Sequence, residues 1–530
     1  MYKRQATAVV LIAAATAVAA SFRTPIDDLG NLPLSRKQAT TAAEARLREL
    51  GQIPAEWRHV TYVDSTFDSL DAKYVLSEKR SYDALARLYR SSARPAAYWR
   101  VRFFKTEQKE EFTFAVGPTG AILTEHHLLP AEAPGADLSE ADARAKAEAY
   151  LHVFGVDVAA GGWDPKEAKA DKRPKRTDWT FEWEDADHVR RQVVVAGDTP
   201  TECSTYLKIP EEFSRNREQV GAVKGILNGI RIVAVLLAVL AGVAVAVIQF
   251  RAGKVRWRPV LVGGSVIALC LCATILNTYQ TIARGYQTSM PWSLFVVGLA
   301  ITPLIAAAGS GIFGGLVVAI AASLHPGRVA PLRGNVRDAL FGGLAFAAAL
   351  TLLQSAHGVL EASWVDAALP GSIALPDVLD TTCATCALLV PWITSTLLGA
   401  GLLAILASVL DRWARPLWAR AGIVVLAGLA LLPRDARTSA EWILAALFAF
   451  ATPLLLWIVA AKLWRGNALA FVLGVGIASA RSRCLPLLTQ GNARARAAGL
   501  AALLVMALVL AVVARRAGSA EARSRSASPA

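Results

Sequence analysis

Residues 231–277 read RIVAVLLAVLAGVAVAVIQFRAGKVRWRPVLVGGSVIALCLCATILN. Two apolar stretches, 228–250 and 259–278, flank the basic segment RAGKVRWR (251–258). At 1.5 Å per helical residue each is long enough to cross a hydrocarbon core of about 30 Å. The pattern then recurs over 292–322, 337–356, 383–410, 421–433, 441–461, 467–480 and 496–514. The chain begins MYKRQATAVVLIAAATAVAASFR, two basic residues and then an apolar core, which reads as a signal anchor or a cleaved signal peptide over 1–22. Counting it, about ten spans are expected. A hydrophobic content of 54% and a mean hydropathy of +0.39 exclude an ordinary soluble protein.

Charge divides the chain unevenly. Residues 23–218 hold 33 acidic and 29 basic groups, whereas the remainder holds 9 acidic against 27 basic. Surplus Arg in a hydrophobic half is the mark of positive-inside loops. No basic stripe with interleaved aromatics accompanies it, so nucleic acid is excluded as a partner. The loops RAGKVRWR (251–258), HPGRVAPLRGNVR (325–337) and DRWARPLWAR (411–420) are expected in the cytoplasm. The segment 357–382, with four acids and no Lys or Arg, is expected to face outward. One stretch strains this rule: RSRCLPLLTQGNARAR (481–496) falls on the outward side despite its four arginines.

Residues 23–218 are expected to form an exported α+β domain of two helix–hairpin units. The first opens on SRKQATTAAEARLREL, a capping serine ahead of a helix that stops at Gly51. Its strands are AAYWRVRFF and KEEFTFAVGPTGAILTEHHLLP. The second opens on LSEADARAKAEAYLHVFG and continues through DWTFEWED, HVRRQVVVAGD and CSTYLKIP. The basic run KEAKADKRPKR (166–176) reads as a solvated, flexible loop. A polytopic helical membrane domain over 219–516 and a disordered tail over 517–530 complete the expected organisation.

This order of elements resembles the PepSY-type extracytoplasmic modules of bacteria, a helix on a short antiparallel sheet. The phrases TFEWED, VVVAGD and YLKIPEEFSR are similar to the exported region ahead of some CAAX-protease-like (CPBP) membrane proteins of bacteria. The resemblance implies a bacterial inner-membrane location and a role in protease inhibition or signal reception. Members of the CAAX-protease-like family carry Glu-Glu followed by Arg, then His on separate helices. No EExxxR occurs in the membrane half, so this chain lacks that catalytic signature.

Few groups there can carry chemistry. His357 and Glu361 stand four residues apart and share a helical face, as in helices that hold zinc. A zinc site needs three or more ligands at one depth, and no second imidazole accompanies them. They are therefore read as interfacial residues. Ser310, among glycines in 292–322, faintly resembles the rhomboid serine motif, but Ala308 stands where that motif has glycine. Cys383 and Cys386 form a CxxC at the outward end of a span, where thiol–disulfide chemistry is physically available. His126 and His127 adjoin on a strand and point to opposite faces, which disfavours a shared metal. No metal set and no cofactor is expected. The sequence points to a non-catalytic inner-membrane protein whose partners are the bilayer and an extracytoplasmic peptide or protein, in a sensing, regulatory or assembly role. The alternatives are a CAAX-protease-like member with a degenerate active site and a transporter-like scaffold.

Overall fold

The computed structural model describes residues 24–91, 94–218, 222–324, 336–371, 373–412, 416–433, 435–459, 461 and 467–526. The segment expected as anchor or signal peptide (1–22) lies outside them.

Ser35 caps α1 (Arg36–Glu49) through a capping box with Gln38. Ala39, Ala43 and Leu47, spaced by four, form its buried stripe. Four strands follow: β1 (Arg58–Ser65), β2 (Ala97–Phe104), β3 (Glu111–Val116) and β4 (Ile122–Leu128). Between β1 and β2 the chain inserts a helical hairpin, α2 (Ser69–Lys79) and α3 (Tyr82–Arg90). The unit then repeats as α4 (Glu140–Val153), capped by Ser139, and β5 (Asp164–Arg173), β6 (Arg176–Glu184), β7 (Val189–Ala196) and β8 (Thr199–Leu207). All eight strands form one antiparallel sheet in the order β1-β2-β3-β4-β8-β7-β6-β5, the two units meeting at their last strands. Alternate residues of each half face a helix: Trp99, Val101, Phe103, Phe112 and Phe114 face α1, and Phe181, Trp183, Val193 and Val195 face α4.

Each unit is thus a helix and four strands rather than a helix and hairpin. The strands missing from the sequence reading are the outermost pair, β1 and β5. The run 166–176, expected as a flexible loop, is β5 with the turn into β6. It pairs with β6 from Asp164↔Glu184 to Arg173↔Arg176. Every β5 residue is exposed. Charges of both signs along a free edge resist pairing with another chain, which is why this strand carries no hydrophobic alternation.

Beyond a short helix α5 (Glu211–Glu218), nine apolar helices correspond one to one with the apolar runs in 219–516. They are α6 (Ala222–Arg251), α7 (Trp257–Asn277), α9 (Trp292–Leu324), α10 (Val336–Ser363), α11 (Ala384–Arg412), α12 (Leu417–Leu431), α13 (Ser439–Ile458), α14 (Ala468–Leu488) and α15 (Ala493–Ser526), with α8 (Tyr279–Ala283) between α7 and α9. Eight of them, among the described residues, are long and apolar enough to cross a membrane; α12 is shorter. The chain is a multi-pass helical membrane protein carrying a sheet domain. Two runs extend further than the sequence suggested. α14 does not stop at residue 480 but continues through Arg481 and Arg483. α15 runs on to Ser526, so most of the expected tail 517–530 is helical. Gly311, Gly314 and Gly315 of 292–322 serve packing within one continuous helix: a Cβ on Gly315 would lie 2.3 Å from the Val260 carbonyl oxygen, and one on Gly264 2.6 Å from that of Gly311.

Successive helices present alternate ends to the sheet domain. Asn277 and Trp292, Asp366 and Cys383, Leu432 and Glu441, and Leu488 and Asn492 all lie on the sheet-domain side. The two parts share packing: Trp99 and Phe114 of the sheet belong to one apolar cluster with Trp392, Cys484 and Met506 of the helices. Gly30 lies so close to the 369–376 loop that a Cβ would fall 1.9 Å from the Ala374 carbonyl oxygen.

The strongest tie is Glu441. Its side chain is wholly buried, and Lys73 Nζ of α2 and Arg217 Nη2 of α5 each reach Oε1 at 2.7 Å. Oε2 accepts from the Arg437 and Thr438 backbone N–H groups at 2.5 and 3.2 Å, completing a capping box on α13. Lys73 also donates to the Asp366 and Ala368 carbonyls at 3.2 and 2.9 Å. Removing one member of such a group strands the others without water. Glu441→Ala is expected to cost about 3–5 kcal/mol. The measurement is hydrogen exchange of the full chain in nanodiscs, where α2 and residues 436–446 accelerate together. Unchanged protection in α2 would show that the sheet domain is held by other contacts.

Candidate functional site

The two halves of the sheet are joined by a very short ladder. β4 and β8 pair only at Glu125↔Cys203 and His126↔Glu202, whereas β1 and β2 pair over eight positions. Bulges at Ala115/Val116 and Val194/Val195 twist both halves beside the seam. A cavity of about 300 Å³ opens there. Arg94, Tyr98, Arg100, Thr124, Glu202 and Ser204 are among the residues that line it.

Its acids and bases divide into satisfied and unsatisfied groups. Glu125, 1% exposed, accepts from Arg46 Nε of α1 at 2.7 Å and from the Tyr150 hydroxyl of α4 at 2.5 Å, clamping the helices of both units to the seam. Arg100 Nε lies 2.6 Å from Asp64 Oδ2, which fixes its charge although the bond is poorly aligned. Glu202 faces His126 at 3.6 Å. Arg94 is different. It is 4% exposed, and its Nη2 meets Asp71 and the Thr66 carbonyl. Its Nε and Nη1 are buried without an acceptor. Beneath the floor Arg191, 2% exposed, donates from Nη1 to the Leu123 carbonyl at 3.4 Å and leaves Nε without an acceptor. Thr205 Oγ1, which lines the cavity, is buried and unpartnered as well. Burial pushes the Cys203 thiol up to about 11, so it lines the cavity as a neutral group.

The residues singled out by sequence lie elsewhere. His357 Nδ1 and Glu361 Oε2 are 3.8 Å apart on α10. Glu361 Oε1 accepts from the Leu369 N–H at 2.8 Å, and the His357 ring meets Phe448 edge-on. They fasten the loop after α10. His325 lies outside the described residues, and among those described no group of three or more His, Cys, Asp or Glu is placed to hold a metal ion. His126 and His127 take separate partners, Glu202 and Glu110. Burial lowers the His127 pKa, against the Glu110 contact that raises it.

Cys383 and Cys386 form a disulfide at the start of α11. Asn277 holds Cys383 from both sides, accepting from its N–H at 2.6 Å and donating to its carbonyl at 2.9 Å. Cys386 is exposed. Cys270 and Cys272 are free thiols further along α7, with Cys270 about 10 Å below Asn277 at the helical rise. Next to this pair lies a group that the sequence reading passed over. Asp380, 6% exposed, accepts from the Val63 N–H of β1 at 2.6 Å. Burial pushes its carboxyl up to about 7, outweighing the Val63 bond and the Arg36 charge that lower it. Arg94, Glu441 and Asp380 gave little sequence signal, because each gains its role from a segment distant in the chain. The capping pattern Thr438-x-x-Glu441 alone was readable.

No protein-family model matches the chain, and no curated protein or solved structure matches it either.

Two outcomes follow from this geometry. Because the folded pKa of Asp380 lies above the unfolded one of about 3.9, its contribution to stability is complete below that value and fades as pH rises through about 7. Asp380→Asn keeps the acceptor for Val63 and abolishes the titration. Thermal unfolding should therefore show wild type losing stability relative to the variant between about pH 4 and 7.5; parallel pH profiles would contradict this. For the cysteines, the peptide holding Cys383 and Cys386 is expected to take up an alkylating reagent only after reduction. Labelling of both in unreduced native membranes would show that the pair is not oxidised there.

Proposed function

We propose that this is a non-catalytic multi-pass membrane protein of the bacterial inner membrane, in which the sheet domain is exported and binds the carboxylate end of a peptide in a sensing or regulatory role. The observation that carries the reading is Arg94. A guanidinium buried at a cavity wall with two N–H-bearing nitrogens lacking acceptors is an unfavourable arrangement in a folded protein. A carboxylate in the cavity relieves it through charge-assisted hydrogen bonds once the side chain turns these buried nitrogens toward the opening. A volume of about 300 Å³ admits a terminal residue or two, not a large body.

Charge placement supports export. The stretches of sequence that join the helix ends away from the sheet domain, 251–258, 325–337, 411–420 and 459–467, carry 12 Lys and Arg against one acid. Those on the sheet-domain side, 278–291, 357–382, 432–438 and 481–496, carry 7 against 5. A positive face of this kind is expected in the cytoplasm, which supports a sheet domain across the membrane from it. The resemblance to tandem PepSY-type modules belongs to the same reading, supported by the repeated helix-on-sheet unit. The Glu441 cluster gives such a module a path to the helices, since α2 touches both the sheet and the loop after α10.

The test uses the full chain in nanodiscs and a panel of short peptides with free or amidated C-termini. Free peptides are expected to raise the unfolding temperature, and amidation to weaken binding about tenfold or more, as loss of a charge-assisted bond to a buried cation implies. Ala115→Trp, which fills the cavity and leaves the Arg94 residue unchanged, should abolish the effect. Equal binding of both peptide forms, or no binding by either, would sink the reading.

A further inference from the structure

A second recess lies within the membrane region, between α10, α11 and α14. It encloses about 310 Å³. Helix direction orders its wall by depth. Phe346, Leu350, Leu403 and Val475 line the part toward mid-membrane, and Gln354, Arg481 and Ser482 line the part toward the sheet domain. Gln354 and Ser482 are exposed, so the polar end is open.

The arginines sit deep. Arg481 is seven residues short of the last residue of α14, roughly 10 Å inside the helix end. Arg483, half a turn further on, lies on another face of α14 and does not line the recess. Both have neutral partners: Arg481 Nη1 donates to Gln354 Oε1 at 3.1 Å, and Arg483 Nε to Ser479 Oγ at 3.3 Å. Ser479 is tied in turn to Ser395 of α11 at 2.9 Å. Among the described residues neither arginine has a carboxylate within ion-pair distance, unlike Lys73 and Arg217 at the domain interface. Cations in a span are costly and need a compensating anion. These arginines belong to 481–496, the segment whose four arginines strain the positive-inside rule, so a local reason for them is called for.

We propose that this recess binds one phospholipid of the sheet-side leaflet, its anionic headgroup on Arg481 with Gln354 and Ser482 beside it and an acyl chain along Phe346, Leu350 and Leu403. A cation with hydrogen-bonding neighbours at the polar end and hydrocarbon at the deep end match an anionic amphiphile in charge and in polarity. A zwitterionic headgroup brings its own cation and gains less from Arg481. The site stands apart from the seam cavity and does not depend on what that cavity binds.

The experiment is native mass spectrometry of the full chain released from vesicles of equal parts phosphatidylglycerol and phosphatidylcholine. Wild type is expected to retain one phosphatidylglycerol, enriched about fivefold over phosphatidylcholine by Arg481. Arg481→Gln keeps hydrogen-bonding capacity, removes the charge and should erase the preference, with the unfolding temperature reporting that the fold is intact. Leu403→Trp, which blocks the apolar floor and spares the charges, should reduce retention of either lipid. Arg494→Gln, whose side chain meets the Thr381 and Thr382 carbonyls instead, serves as the unaffected control. Equal retention of both lipids by wild type, undiminished enrichment in Arg481→Gln, or displacement of the lipid by inorganic phosphate alone would overturn the proposal.

Discussion

One carboxylate at the boundary between a sheet and a helix bundle constrains the whole arrangement. Glu441 has no contact with solvent, and its stability rests on Lys73 and Arg217, which arrive from segments far earlier in the chain. Each of the three groups would be prohibitively unfavourable alone at that depth. They are tolerated because they meet, and they meet only if the sheet domain sits where it does. The apolar contacts around them supply adhesion without direction. The charge cluster and the hydrogen bonds from Asp380, Asn31 and Asn492 supply the register.

The same logic explains the inserted hairpin. The two sheet units are related as repeats, yet only the first carries α2 and α3 between its first two strands. Leu76, Leu85 and Tyr89 of that hairpin pack against Val189 and Leu207 of the second unit and Ala368 of the membrane loop. The insertion therefore braces a seam whose own ladder is too short to hold it. With that brace in place the strands can part locally, and a polar cavity survives in what would otherwise be a continuous sheet.

Arginine plays three separate parts here. In the stretches that join the helix ends away from the sheet domain it outnumbers the acids, the pattern that the positive-inside rule expects of cytoplasmic loops. At the domain boundary it neutralises buried acid. On α14 it stands inside the membrane with uncharged neighbours, an arrangement that only the fold reveals, since the sequence reading ended that span at residue 480 before the two arginines.

The sequence by itself determined the membrane-spanning pattern and the repeat, because both follow from local periodicity: long apolar runs admit only helices in lipid, and a capping serine ahead of an alanine-rich stretch starts a helix wherever it lies. It also separated His126 from His127, since strand geometry alone sends them to opposite faces. Tertiary structure decided the rest. β5 has the composition of a loop and is a strand because β6 offers it an edge. Glu441 and Asp380 read as isolated acids and are junctions because segments hundreds of residues away supply their partners. Arg94 has nothing in its neighbours along the chain to mark it, and burial at the seam gives it unsatisfied nitrogens. Local periodicity is a property of neighbours in the chain, whereas the burial and pairing of a charge depend on which distant groups fold against it.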